Sequence, residues 1–388
     1  MDQLSPNSSN GQVETAGWRS LSPATYRGST IVYPDYESFL KRGEGGRKAF
    51  TYGLAGTPTS RLLQARLTEM EEAVDTFLVP SGLLAITVSM LALLKPGDTV
   101  LIPETVYGPV RRFASETLAV MRINAQYYDP RSTNNIAFDD PKLRLVWVES
   151  PGSITMELQD IADISRRARA RGILVGCDNS WASPYLCKPI ALGADIVVEA
   201  VSKTLSGHSD LLMGSISVAS EAIADPIHRT IRSLGIGVSP DDCFLALRGL
   251  ETAELRIKHA GQSGLQLARH LCDTKRFPLI EAVLHPGLSN DANHALWTSQ
   301  FTGSNGVFSL ALAKENGEAH GRRYQRLKTF SLGASWGGTH SLLAPSVIVD
   351  GRCAGKYDGK RFLRLSIGLE PVSVLLSDLD AFFSEADG

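Results

Sequence analysis

The chain has 388 residues, of which 43% are hydrophobic and 21% charged, enough apolar material to bury a large core. A net charge of -2 gives no basic footprint, which argues against nucleic acid and anionic membrane as partners and leaves small molecules as the default. The five cysteines, Cys177, Cys187, Cys243, Cys272 and Cys353, are scattered and read as reduced core residues of a cytoplasmic protein, with no export signal and no metal-ligand spacing.

Residues Met1 to about Ser22 are polar and rich in Ser, Asn and Gly, the composition of an arm with little core of its own. A glycine-punctuated loop, Thr51 to Thr57, leads into Thr57-Pro58, a cap followed by proline at the first helical position. Leu63, Leu67 and Met70 then recur at helical spacing, and a short strand is expected from Val74 to Val79. Pro80-Ser-Gly82-Leu83 opens the next helix, which Pro96-Gly97 stops. The free amides of Gly82 and Leu83, at the positive end of that helix, make an anion cradle. The strand Thr99 to Pro103 places Tyr107 on a loop just past its carboxyl end.

The runs Leu143 to Glu149, Gly172 to Cys177 and Asp195 to Val198 are nearly all apolar, and Asp160 to Arg171 between the first two reads as a capped amphipathic helix. Strand, helix, strand alternation of this kind predicts a mainly parallel sheet, α/β in class. Asp178 and Lys203 each follow one of these strands, at the edge where open α/β sheets bind ligands. A long helix from Pro240 to Leu271, expected to break at Gly261, leads to a smaller α+β region with strands Gly306 to Leu312 and Phe362 to Ile367 and a closing helix Val372 to Phe383. The expected division is an N-terminal arm over 1–50, a cofactor domain over 51–250 and a C-terminal domain over 251–388. His208, His285 and His340 are isolated, as structural histidines are.

A lysine, an anion cradle, an aromatic ring and a carboxylate thus gather at one sheet edge. A lysine there is partly desolvated, which favours the free amine that condenses with an aldehyde. The set fits pyridoxal 5'-phosphate: Lys203 as Schiff base and later as the base for an α-proton, Gly82, Leu83 and the Ser202 hydroxyl on the phosphate, Tyr107 stacked on the ring, and Asp178 on the ring nitrogen.

The motifs Glu149-Ser-Pro-Gly-Ser-Ile-Thr-Met-Glu157, Asp178-Asn-Ser-Trp181, Ser202-Lys203 with Gly207-His-Ser-Asp210, Phe301-Thr-Gly-Ser304, Ser335-Trp-Gly-Gly338 and Arg364-Leu-Ser-Ile-Gly-Leu-Glu370 carry a resemblance. The chain resembles, along nearly its whole length, the Cys/Met-metabolism family of fold-type I pyridoxal-phosphate enzymes, on its cystathionine β-lyase side. The resemblance implies the fold-type I transferase fold and a homotetramer built from dimers that share active sites. It implies that Arg364, Ser335 and Trp336 hold the substrate carboxylate and that Tyr52 reaches the site of a neighbouring subunit. The expected reaction is carbon-sulfur β-elimination from an S-substituted cysteine to pyruvate and ammonia; the alternative is γ-elimination or γ-replacement on a homoserine-, methionine- or sulfonium-type substrate. Two departures bear on it: Leu54 and Ala55 stand where the family and its β-lyases carry arginines, and His340 stands where the family has a glutamate.

Overall fold

The computed structural model describes residues 14–15, 17–314, 317–349 and 355–384. The first 13 residues of the expected arm, and Cys353, lie outside them. Seven strands hydrogen-bond in the spatial order Asp75–Val79, Gly214–Val218, Ile196–Glu199, Leu174–Asp178, Leu143–Glu149, Thr99–Pro103, Asn124–Tyr128. The last five of these pair in parallel, and Gly214–Val218 runs antiparallel to both its neighbours. The sheet is therefore mixed, and mainly parallel as the sequence predicts. Helices cover both faces, which is why a strand such as Thr99–Pro103 is buried throughout rather than on alternate residues.

One consequence fixes the site. The carboxyl ends of the five parallel strands and of Asp75–Val79 all emerge at the same edge, so the turns that follow them meet there. Those turns carry Ser81, Tyr107, Pro151, Ser180 and Lys203.

The helix Pro58–Glu71 starts as its sequence requires. Thr57 Oγ1 accepts from the Ser60 amide at 3.3 Å, Ser60 Oγ accepts from the Thr57 amide at 2.8 Å, and Pro58 occupies the first turn. The segment before it, still part of the expected arm, rests on the large domain: the Tyr26 amide donates to Thr59 Oγ1 of this helix at 2.8 Å, and Arg47 pairs with Asp75 of the first sheet strand and with Glu221 and Asp225 of the helix Glu221–Ser233.

The helix Pro240–Leu271 is one unbroken element of 32 residues, correcting the expected break at Gly261. A Cβ at Gly261 would stand 1.8 Å from the Ser304 carbonyl oxygen. The glycine therefore serves close helix packing instead of interrupting the helix. The same helix runs through residue 250, where the cofactor domain was expected to end. Cys272, expected in the core, is exposed, whereas Cys177, Cys187 and Cys243 are buried.

A second sheet has the order Ile280–Leu284, Val307–Leu312, Arg361–Ser366, Leu342–Val347, Ser331–Leu332. Its core joins Phe308, Leu363 and Leu365 to Leu267 of the long helix and to Leu379 and Phe382 of the closing helix Val372–Phe383. Hydrogen bonds tie it to the large sheet, among them Trp181 Nε1 donating to the Val307 carbonyl at 3.0 Å and Asn305 Nδ2 donating to the Trp181 carbonyl.

Candidate active site

A cavity of about 250 Å³ opens where the carboxyl edge of the large sheet meets the second sheet. Gly82, Leu83, Tyr107, Asp178, Ser202, Lys203, Trp336 and Arg364 line it, so eight of the ten residues singled out from sequence converge there. Ser335 adjoins it through its bond to Lys203. Tyr52 does not line it: this tyrosine is 52% exposed and opens the short helical turn Gly53–Ala55.

Lys203 lies four residues beyond the strand Ile196–Glu199, in a turn closed by the Lys203 amide on the Ala200 carbonyl (2.9 Å) and the Gly207 amide on the Lys203 carbonyl (2.7 Å). Its Nζ donates to Ser335 Oγ at 2.8 Å and stands 5.4 Å from the centre of the Trp336 ring. Burial, reinforced by the Arg364 charge, lowers its pKa to about 8. About a tenth of the amine is therefore free at pH 7, far more than for an ordinary lysine.

Asp178 ends the adjacent strand and is in register with Val198 on one side and Glu149 on the other. Its Oδ1 accepts from the Ser180 amide at 2.9 Å. Burial raises its pKa and the Ser180 bonds oppose the rise. A carboxylate so placed calls for a cationic partner inside the cavity.

The helix Gly82–Leu93 points its amino end at the cavity. Ser81 Oγ accepts from the Leu84 amide at 3.1 Å, and the Ala85 amide bonds the Ser81 carbonyl at 3.0 Å, so the amides of Gly82 and Leu83 are the ones left over for a ligand. Gly82 is required by contact, since a Cβ there would stand 2.7 Å from the Ala200 side chain. Ser202 is placed as expected, but its hydroxyl is engaged with Met213, donating to the carbonyl at 3.1 Å and accepting from the amide at 2.8 Å. Ser180 is the hydroxyl to which the sequence assigned no role: its Oγ accepts from the Ala200 amide at 2.7 Å, leaving its own hydrogen to donate. Its place two residues after a strand-ending aspartate was the available signal.

Tyr107 begins the helix Gly108–Phe113, and its amide donates to Glu149 Oε2 at 2.7 Å. That bond fixes the backbone while the ring stays 46% exposed. Opposite, Arg364 on the second sheet donates from Nη2 to the carbonyls of Ala334 (2.6 Å) and Ser335 (3.2 Å). Its buried Nε has no hydrogen-bond partner and no carboxylate pairs with the guanidinium among the described residues, the state of a carboxylate receiver.

Leu54 turns away from the cavity and packs on Gly237, and the Ala55 carbonyl accepts from Arg61 Nη2 at 2.6 Å. Arg111 and Arg112 do not make up the missing charge. Arg111 donates to the Glu104 carbonyl at 2.8 Å and stacks on Tyr127, Arg112 is exposed, and neither lines the cavity.

These residues fit pyridoxal phosphate on their own chemistry. A half-buried amine with a lowered pKa, a buried carboxylate in want of a cation, and a helix amino end within one cavity are what an aldehyde, a protonated ring nitrogen and a phosphate require. The fold and site together define an enzyme of the pyridoxal-phosphate class acting on amino acids.

Residues 8–384 match the family described as Cys/Met metabolism PLP-dependent enzyme, and the chain belongs to that family. Among its relatives, an L-alanine/L-glutamate racemase of Wolbachia pipientis wMel is 36% identical over 380 residues, covering 93% of this chain and 92% of the relative. The cystathionine beta-lyase MetC of Escherichia coli (strain K12) is 32% identical over 375 residues, covering 94% of each. The structure of a cystathionine gamma synthase from Xanthomonas oryzae pv. oryzae in complex with cystathionine superposes with a TM-score of 0.84 at 29% identity, covering 94% of this chain and 93% of that one.

Proposed function

We propose that this protein is a pyridoxal-phosphate-dependent carbon-sulfur β-lyase that eliminates a thiol from an S-substituted cysteine to leave pyruvate and ammonia. The observation that carries the reading is that Lys203, Asp178 at a strand end of the large sheet and Arg364 on the second sheet all line one cavity. The cofactor supplies an aldehyde that condenses with amines and a ring that withdraws electron density from the substrate's α-carbon.

The chain's own residues do the rest. Asp178 holds the ring nitrogen in its protonated form. The Gly82 and Leu83 amides and the Ser180 hydroxyl hold the phosphate, Ser202, whose hydroxyl hydrogen goes to the Met213 carbonyl, lines the site without donating to it, and Tyr107 covers the ring. Arg364 grips the substrate carboxylate through a two-point contact, with Ser335 and Trp336 beside it. Lys203, as the free amine, removes the α-hydrogen, and Tyr107 donates a proton to the departing sulfur. Tyr52 of a neighbouring subunit completes the mouth.

The exposed apolar side chains Tyr36, Phe39, Leu40, Phe50 and Leu54, clustered in sequence ahead of the first long helix, support burial against further copies, which we take to be a homotetramer in the cytoplasm. A division into arm, cofactor domain and C-terminal domain over 1–50, 51–250 and 251–388 accompanies this reading.

A second reading is proton exchange at the α-carbon without elimination. Two observations favour keeping it: the racemase relative at 36% identity, and two proton-carrying groups, Lys203 and Tyr107, on one cavity. Leu54 and Ala55, in place of cations, also disfavour a leaving group that ends in a carboxylate. Mass spectrometry of products from a panel of S-substituted cysteines, homocysteine derivatives and L-alanine tests the assignment. Pyruvate with released thiol supports β-elimination; a four-carbon oxo acid would move the assignment to γ-chemistry, and D-amino acid alone to racemisation.

A further inference from the structure

The turn that carries Lys203 is gripped from beneath by a guanidinium that no carboxylate neutralises among the described residues. Arg256, in the middle of the helix Pro240–Leu271, is 9% exposed. Its Nη1 donates to the Thr204 carbonyl at 2.8 Å. Its Nη2 donates to the carbonyls of Gly249 (2.7 Å) and Leu205 (3.2 Å), and its Nε to Thr252 Oγ1 (3.1 Å). The two carbonyls it takes from the turn belong to the residues immediately after Lys203, and among the described residues no backbone amide is bonded to either.

Glycines shape the turn around this contact. Gly207 has φ +70° and its absent Cβ would lie 1.5 Å from Arg256 Nη1; a Cβ at Gly249 would lie 2.4 Å from the Ser206 carbonyl oxygen. From above, Gly337 of the second sheet's loop presses on the same backbone, with a Cβ position 2.9 Å from the Thr204 nitrogen and 3.1 Å from the Lys203 carbonyl carbon.

We propose that Arg256 is a positioning residue for Lys203, its planar fork holding the backbone of residues 204 and 205 so that the lysine amine meets both the cofactor aldehyde and the substrate's α-hydrogen. A buried arginine without a counter-ion is an expensive way to satisfy two carbonyls. Only a five-donor fork reaches four acceptors on the turn and the helix at once, which lysine cannot do. The inference rests on the reading that Lys203 carries the cofactor.

The test uses the full-length protein and the variants R256M, R256K and G207A, with R323M as a control. Arg323 is also buried and donates to the Phe382 and Ser384 carbonyls, remote from the cavity. Each is measured for melting temperature without cofactor, for kcat and KM, and for the pH midpoint of visible-band formation on adding pyridoxal phosphate. Folded R256M should lose about 30- to 100-fold in kcat with KM within about 3-fold, the scale of a misplaced catalytic group. Its midpoint should move up from about 8 as Lys203 gains solvent. G207A, by pushing the fork aside, should reproduce both changes, R256K should lie between, and R323M should lower the melting temperature alone. If R256M does not fold, R256K and G207A decide. Variants that keep wild-type kcat and midpoint overturn the proposal. A wild-type protein that forms no adduct at Lys203 instead refutes the reading beneath it, and the two failures are separate.

Discussion

Lys203 Nζ donates to Ser335 Oγ across 2.8 Å, joining a turn of the large sheet to a loop of the second sheet. The contact ties the reactive amine to the arm of the structure that also carries Arg364, 29 residues on. The amine and the guanidinium are thereby referred to one another through Ser335.

The first prediction concerns protonation of that amine. Burial and the Arg364 charge lower the Lys203 pKa to about 8, so the reactive form is lost below that pH and complete above it. The rate of visible-band growth on mixing cofactor-free protein with pyridoxal phosphate should therefore rise through a midpoint near 8. S335A removes an acceptor that favours the ammonium, and its midpoint should be lower than wild type.

Asp178 is expected to matter for chemistry more than for binding. D178N keeps the shape and the Ser180 contact but cannot hold a protonated ring nitrogen. It should bind cofactor and lose about 10²-fold or more in kcat, as removal of a preorganised charge does in other enzymes. Steady-state kinetics at saturating cofactor would check this, and near-wild-type kcat would count against the role.

Arg364 should set substrate affinity. R364K retains charge but not the fork, and the loss of one charge-assisted bond, about 1.5 to 3 kcal/mol, corresponds to roughly 10- to 150-fold in kcat/KM. Cofactor binding, read from the visible band, should be unaffected.

Behind the site, Glu71 and Glu199 are both fully buried and act on one another electrostatically, with Lys188 the nearby cation. Burial raises both pKa values, that of Glu71 from 4.5 to about 7, so the native state holds a proton that the unfolded chain releases. The sign follows: stability from the raised pKa is complete below the unfolded value and declines as pH rises through the folded one. E199Q, which replaces one of the two carboxyls by an amide, should flatten the dependence. Urea midpoints at pH 5.5 and 8 would show it, and an unchanged slope would contradict the pairing.

Much of the site was legible in the sequence because strand ends are. A run such as Leu143 to Glu149 announces a buried parallel strand, and everything that follows such a strand lands on one edge. Lys203, Asp178 and Tyr107 were therefore readable from local pattern alone. Gly261 was misread because glycine reports either a break or a close contact, and only the Ser304 backbone beside it decides between them. Arg256 was passed over for a similar reason: its meaning lies in carbonyls about fifty residues away. The engagement of Ser202 with Met213 likewise depends on a strand pairing that no local spacing encodes.

Borohydride reduction of the cofactor-loaded protein, followed by peptide mass spectrometry, tests the central claim most directly. A single stable adduct of pyridoxal phosphate on the peptide bearing Lys203, absent in K203A, is the predicted result. A protein that stays colourless and unmodified, or one labelled equally at other lysines, would contradict it.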